Sequence, residues 1–96
     1  MKNVKIDLRR IETKKEFIAA LYKAIGFEGE AGYNLDALSD VLSAWTEPVR
    51  IQLLYWYGFE RRAPVIAGGV KQVLTDRMND NRALAVAFRK RGCFPV

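Results

Sequence analysis

Apolar and polar positions alternate with two different periods along this chain, and the switches between them mark its elements. In "VKIDL", Val4 to Leu8, apolar side chains fall on every second residue, the spacing of a short strand. The period then lengthens: Phe17, Ile18, Leu21, Tyr22 and Ile25 share one helical face. Thr13 and Glu16 stand ahead of them at capping-box spacing, and Gly26 supplies a stop. "GFEGEAG" is a glycine-rich loop. Asn34 is a good N-cap for a second helix predicted over Leu35 to Ala44, with Leu35, Leu38, Val41, Leu42 and Trp45 as its buried stripe. "VRIQLLYW", Val49 to Trp56, predicts a strand whose nearly continuous apolar end is buried on both faces. "YGFERR" predicts a short helix or turn punctuated by Pro64. Val70, Val73, Leu74 and Met78 mark a further helix whose start is weakened by Gly68 and Gly69. "ALAVAF", Ala83 to Phe88, is short enough to be a last buried strand, and "RKRGCFPV" trails off to Pro95.

The predicted order is therefore β-α-α-β-α-α-β. Strands joined through helical crossovers pair in parallel, so the fold class is α/β: a small three-stranded parallel sheet packed with three to four helices. A chain of 96 residues, half of them apolar, fits a single domain over residues 1–96 with one modest core. No internal repeat or low-complexity segment is present. Apolar runs fall far short of the roughly 20 residues that span a bilayer. "MKNVKIDLRR" lacks the apolar core of a signal peptide, and the lone Cys93 has no partner for an internal disulfide, so the expected compartment is the cytoplasm.

Composition removes chemistry. Without histidine there is no imidazole acid or base, no Cys/His zinc site and no Ser-His-Asp nucleophile. The glycine-rich loop is a poor phosphate cradle, because Glu28 and Glu30 would repel the anion and the Gly-x-Gly-x-x-Gly pattern is absent. Asp36 and Asp40 lack the third ligand a metal would need. The expectation is a protein that is not an enzyme and uses neither cofactor nor metal.

Charge changes the picture further. The formal net charge is +5, yet Ala24 to Val49 contains Glu28, Glu30, Asp36, Asp40 and Glu47 and no Lys or Arg. On the second helix, Asp36 and Asp40 are neighbours at i and i+4, nearly opposite the leucine stripe. Macrodipole stabilisation accounts for Asp36 in the first turn but not for Asp40, and a like-charged pair at this spacing costs about 0.2–0.5 kcal/mol. An acidic face kept at a cost to stability points to a docking surface for something basic.

The stretch Gly32-Tyr33-Asn34-Leu35-Asp36-Ala37-Leu38-Ser39-Asp40-Val41-Leu42 resembles the Gly-x-Asn-Leu-Asp-Ala-Leu-x-Asp-x-Leu signature of the barstar family, intracellular inhibitors of barnase-type ribonucleases. The likeness continues through Trp45-Thr46-Glu47 and Leu54-x-Trp56-x-x-Phe59-Glu60. It implies a three-stranded parallel sheet ringed by helices, and a one-to-one partner with a basic active site that the acidic helix and preceding loop plug. Asp40 matches the aspartate that takes the place of RNA phosphate, and Asp36 the first aspartate. The implied contacts are Glu30, Ala31, Gly32 and Tyr33 in the loop, with Asn34, Asp36, Ser39, Asp40 and Ser43. Family members commonly carry an aromatic before the signature glycine and a Trp between the aspartates; here those positions are Ala31 and Ser39, and Tyr33 offers another ring.

Two other readings stay open. One is an RNA- or DNA-binding module, with Tyr55, Trp56, Tyr57 and Phe59 as a stacking platform beside Arg61 and Arg62, or with Arg89-Lys90-Arg91, Arg9, Arg10, Lys14 and Lys15 on phosphates. The other is a barstar-like interaction domain whose partner is not a nuclease.

Overall fold

The computed structural model describes residues 2–90; Arg91, Cys93 and Pro95 lie outside the described residues. The chain runs β1 (Lys2–Asp7), α1 (Lys14–Ile25), α2 (Leu35–Ser43), β2 (Val49–Leu54), α3 (Trp56–Arg62), α4 (Pro64–Asp80) and β3 (Leu84–Phe88). The three strands form one parallel sheet in the order β1-β2-β3, with Lys2 opposite Val49 and Val49 opposite Leu84. This is the expected α/β fold, element for element. Among the described residues no helix is long and apolar enough to cross a membrane.

Both faces of the central strand are covered: Ile51, Gln52 and Leu53 are buried in succession, which only helices on either side of a sheet produce. The core joins these residues to Phe17, Ile18, Leu21 and Ile25 of α1, Leu38 and Leu42 of α2, Trp56 and Phe59 of α3, and Val70 and Leu74 of α4. The capping box forms as expected. The Glu16 N–H donates to Thr13 Oγ1 at 3.1 Å, the Thr13 N–H donates to Glu16 Oε1 at 3.0 Å, and Gly26 closes α1 in the left-handed region.

Several boundaries differ from the sequence reading, the end of α2 at Ser43 and the start of β3 at Leu84 by one residue each. β1 starts at Lys2 and ends before Leu8, which is buried beyond the strand and donates its N–H to the Leu54 carbonyl at 3.2 Å. β2 stops at Leu54, because Tyr55 turns the chain at φ 62° and Trp56 opens α3. α4 begins at Pro64, six residues before Val70 and four before Gly68, so the two glycines lie inside the helix and not at its start. Proline suits a first helical position, where its missing N–H would have no helical partner.

The two glycines have different jobs. A Cβ on Gly69 would lie 2.8 Å from Leu35 Cδ1, so the bare backbone there lets α4 approach α2. A Cβ on Gly68 would meet nothing within 4 Å. Gly68→Ala should therefore stabilise the protein by about 0.5–1 kcal/mol through helix propensity alone. Gly69→Ala should gain less than that or nothing, since Leu35 must change rotamer to admit the methyl. Urea denaturation of the two variants measures the difference, and equal gains would refute the close-packing role of Gly69.

Candidate functional site

The predicted acidic face is built from one short helix held at both ends. At its start, Asn34 adopts extended backbone angles and its Oδ1 accepts the Ala37 N–H at 2.8 Å. Gly32 makes room for that cap: a Cβ there would sit 2.9 Å from Asn34 Nδ2. At its end, α2 has no basic residue in its last turn and is capped from outside. Asn81, just past α4, donates through Nδ2 to the Leu42 carbonyl at 2.9 Å and to the Trp45 carbonyl at 2.8 Å. Leu38 and Leu42 are fully buried beneath. The helix is short, so this tertiary anchorage and not intrinsic propensity keeps it formed.

On this anchored rod Asp36 and Asp40 are exposed, and so are Asn34 and Ser43; Ser39 is half-buried. Among the described residues the ion pairs are Arg9 with Asp7 and Arg77 with Asp80, and neither Asp36 nor Asp40 has one. Both carboxylates are thus left to solvent at fixed spacing. Glu28, Glu30 and Glu47 are exposed as well, Glu28 and Glu30 in the loop before α2 and Glu47 after it.

The loop before α2 folds back on α1. Tyr22, buried, donates its hydroxyl to the Gly32 carbonyl at 3.0 Å and packs against Phe27 and Tyr33, with ring centroids 5.0 and 5.9 Å away. Burial, and then the neighbouring Tyr33 phenol, push the Tyr22 hydroxyl above its ordinary pKa, so it stays a donor throughout the neutral range. Ala31 packs against the core, whereas Tyr33 is 47% exposed at the loop surface. The available ring at this end of the face is therefore that of Tyr33. Tyr22→Phe removes one hydrogen bond while keeping the ring, and should cost about 0.5–1.5 kcal/mol of stability. Its signature is faster amide exchange in residues 28–34 than elsewhere; unchanged exchange there would mean that the hydroxyl does not hold the loop.

Sequence reasoning missed two cations beside this face. Lys15 Nζ lies 5.7 Å from the centroid of the Tyr33 ring, and Arg77 Nη1 donates to Ser43 Oγ at 3.0 Å. Both come from other helices, so a count along Ala24 to Val49 finds no positive charge where the fold supplies some.

The groups invoked for nucleic-acid stacking are mostly engaged elsewhere. Trp56 and Phe59 are fully buried. Arg62 donates to the Leu8 carbonyl at 2.8 Å and the Ile11 carbonyl at 3.3 Å. Arg9 pairs with Asp7 at 2.6 Å and covers the Tyr55 ring at 4.4 Å; its hydrogen bonds hold the Asp7 carboxyl below the usual carboxylate pKa. Tyr57 alone of the four aromatics is an exposed large ring.

No curated protein sequence matches the chain significantly. A family model described as Barstar (barnase inhibitor) matches residues 1–90, nearly the whole length and including the anchored acidic helix, and the chain belongs to the barstar family.

Proposed function

We propose that this protein inhibits a ribonuclease by one-to-one occlusion, seating α2 and the loop before it in a basic active site. The observation that carries the reading is the pair Asp36 and Asp40, turned to solvent on a helix capped at both ends and without an ion-pair partner among the described residues. A carboxylate held by such a frame is a preorganised anion. A nuclease site is a fixed cluster of donors for phosphate, and a substitute anion that arrives already ordered loses little entropy on binding. Asp40 is the anchor, Asp36 a second charge, Asn34 mainly the cap, and Tyr33 an exposed ring beside them. Glu30, Ala31, Gly32, Ser39 and Ser43 complete the surface.

Family membership supports the same reading, because barstar-family proteins are inhibitors and not enzymes. The protein's action is in the cytoplasm on this account, as the lone Cys93 suggests. The test is inhibition of RNA cleavage by a panel of barnase-type ribonucleases, titrated against the protein. Activity should fall linearly to an end point at equimolar inhibitor. If no ribonuclease is inhibited, and the protein instead retains RNA oligonucleotides with a steep salt dependence, the reading fails and the nucleic-acid alternative takes its place.

A further inference from the structure

The carboxylate stripe ends on a cation that the fold puts there. Asp36, Asp40 and Ser43 lie along one side of α2, at intervals of four and three residues. Ser43 Oγ accepts an N–H from Arg77 of α4, and Arg77 Nη2 lies 2.9 Å from Asp80 Oδ2. These two contacts hold Arg77, whose side chain is only 26% exposed. Asn81, four residues along, clamps the carbonyls of Leu42 and Trp45, which ties the end of α2 to the end of α4.

Two chemical consequences follow for a visitor. Because Oγ already accepts from Arg77, the Ser43 hydroxyl is left with its proton to donate, and a guanidinium has donors only. This end of the face therefore offers donors, where Asp36 and Asp40 offer acceptors. Arg77 also occupies the otherwise free carboxylate of Asp80, which is 67% exposed, so it lowers the negative charge available there by one. At the other end Lys15 stands by Tyr33. The acidic stripe is bracketed by cations from α1 and α4.

Resting on the ribonuclease reading above, we infer that the face is selective for a nuclease whose cationic site is bordered by a carboxylate or carbonyl acceptor, and that Arg77 is the specificity-determining residue that disfavours a wholly cationic rim. A uniformly acidic face would attract any basic nuclease. A face patterned as cation, two anions, cation rewards only the matching alternation, and an unmatched cation opposite Arg77 costs association rate.

The experiment uses the whole chain and a barnase-type ribonuclease with Lys or Arg around its active-site rim as the probe, with association rates followed at several salt concentrations. Arg77→Gln removes the charge and frees Asp80, while its amide can still donate to Ser43. It should associate about two- to fivefold faster than the parent, with a steeper salt dependence. Arg77→Lys keeps the charge and should associate at the parent's rate, which separates charge from packing. A slower or unchanged rate for Arg77→Gln, in a protein that melts like the parent and still loses binding on Asp40→Ala, overturns the inference and leaves the inhibitor reading in place. If neither the parent nor Arg77→Gln binds the ribonuclease, the inhibitor reading falls and takes this inference with it.

Discussion

Asp40→Ala is expected to weaken ribonuclease binding by about 2–5 kcal/mol, a loss of one to several orders of magnitude in affinity, while leaving the free protein at least as stable. The two effects have opposite signs for a physical reason. In the free protein the Asp40 carboxylate has no ion-pair partner among the described residues, and its neighbour one turn back is Asp36. Removing it relieves about 0.2–0.5 kcal/mol of like-charge repulsion and substitutes the best helix former for a poor one. In the complex the same carboxylate would be desolvated among basic groups, and its deletion would leave those groups buried and unpaired. Calorimetric titration against an inhibited ribonuclease, alongside thermal melts, measures both. A variant that binds normally, or one that loses binding only because it unfolds, would remove Asp40 from its role.

The neighbouring carboxylates calibrate this result. Asp36, in the first turn, interacts favourably with the helix N-terminus, which offsets the gains from relieved repulsion and helix propensity, so Asp36→Ala should stabilise the free protein less than Asp40→Ala while also costing binding. Glu47 is exposed beyond the end of α2, and its loss should matter by about 1 kcal/mol or less. The ranking Asp40, Asp36, Glu47 separates a specific anchor from a diffuse electrostatic attraction, under which all three would lose similar amounts.

Local periodicity made most of the architecture legible. The capping box of α1, the Asn34 cap and the Leu38 and Leu42 stripe are each written within a few consecutive residues, and each forms. What escaped was set by partners far along the chain. Pro64 read as punctuation because the buried residues of α4 near it are sparse, Ala67 and Val70, and the intervening Gly69 serves Leu35 of α2 and not its own helix. The continuing apolar run predicts β2 through Trp56, whereas the chain turns at Tyr55, a residue type that gives no signal for positive φ. The positive charge beside α2 is invisible along the sequence for the same reason. Ser43 and Arg77 are 34 residues apart, and no spacing rule joins them. The acidic helix could be read from sequence; the cations that bracket it are a product of tertiary packing.

Trp56→Ala should be the most damaging single substitution in the core, at about 3–5 kcal/mol, because it removes an inner member of a chain of four aromatic rings. The Trp56 ring meets Phe88 edge-on at 4.7 Å and lies 5.6 Å from Phe59, which stacks on Phe17 at 5.7 Å. Rings from α1, α3 and β3 are thereby joined across the domain. Against a total stability of roughly 5–15 kcal/mol for a domain of this kind, such a loss is a large fraction. Trp56→Phe should be far milder. The indole Nε1 is buried without a hydrogen-bond partner among the described residues, so the phenyl ring loses volume but also removes an unsatisfied donor that costs about 1–3 kcal/mol. Denaturant titrations of the two variants measure the contrast, and oligonucleotide binding gives the second readout. A ring that stacked on bases would show the reverse pattern, a protein of normal stability that had lost RNA. Trp56 is buried in the core, away from the partner surface proposed on α2 and its loop, so on that proposal Trp56→Phe should still inhibit a ribonuclease at equimolar ratio.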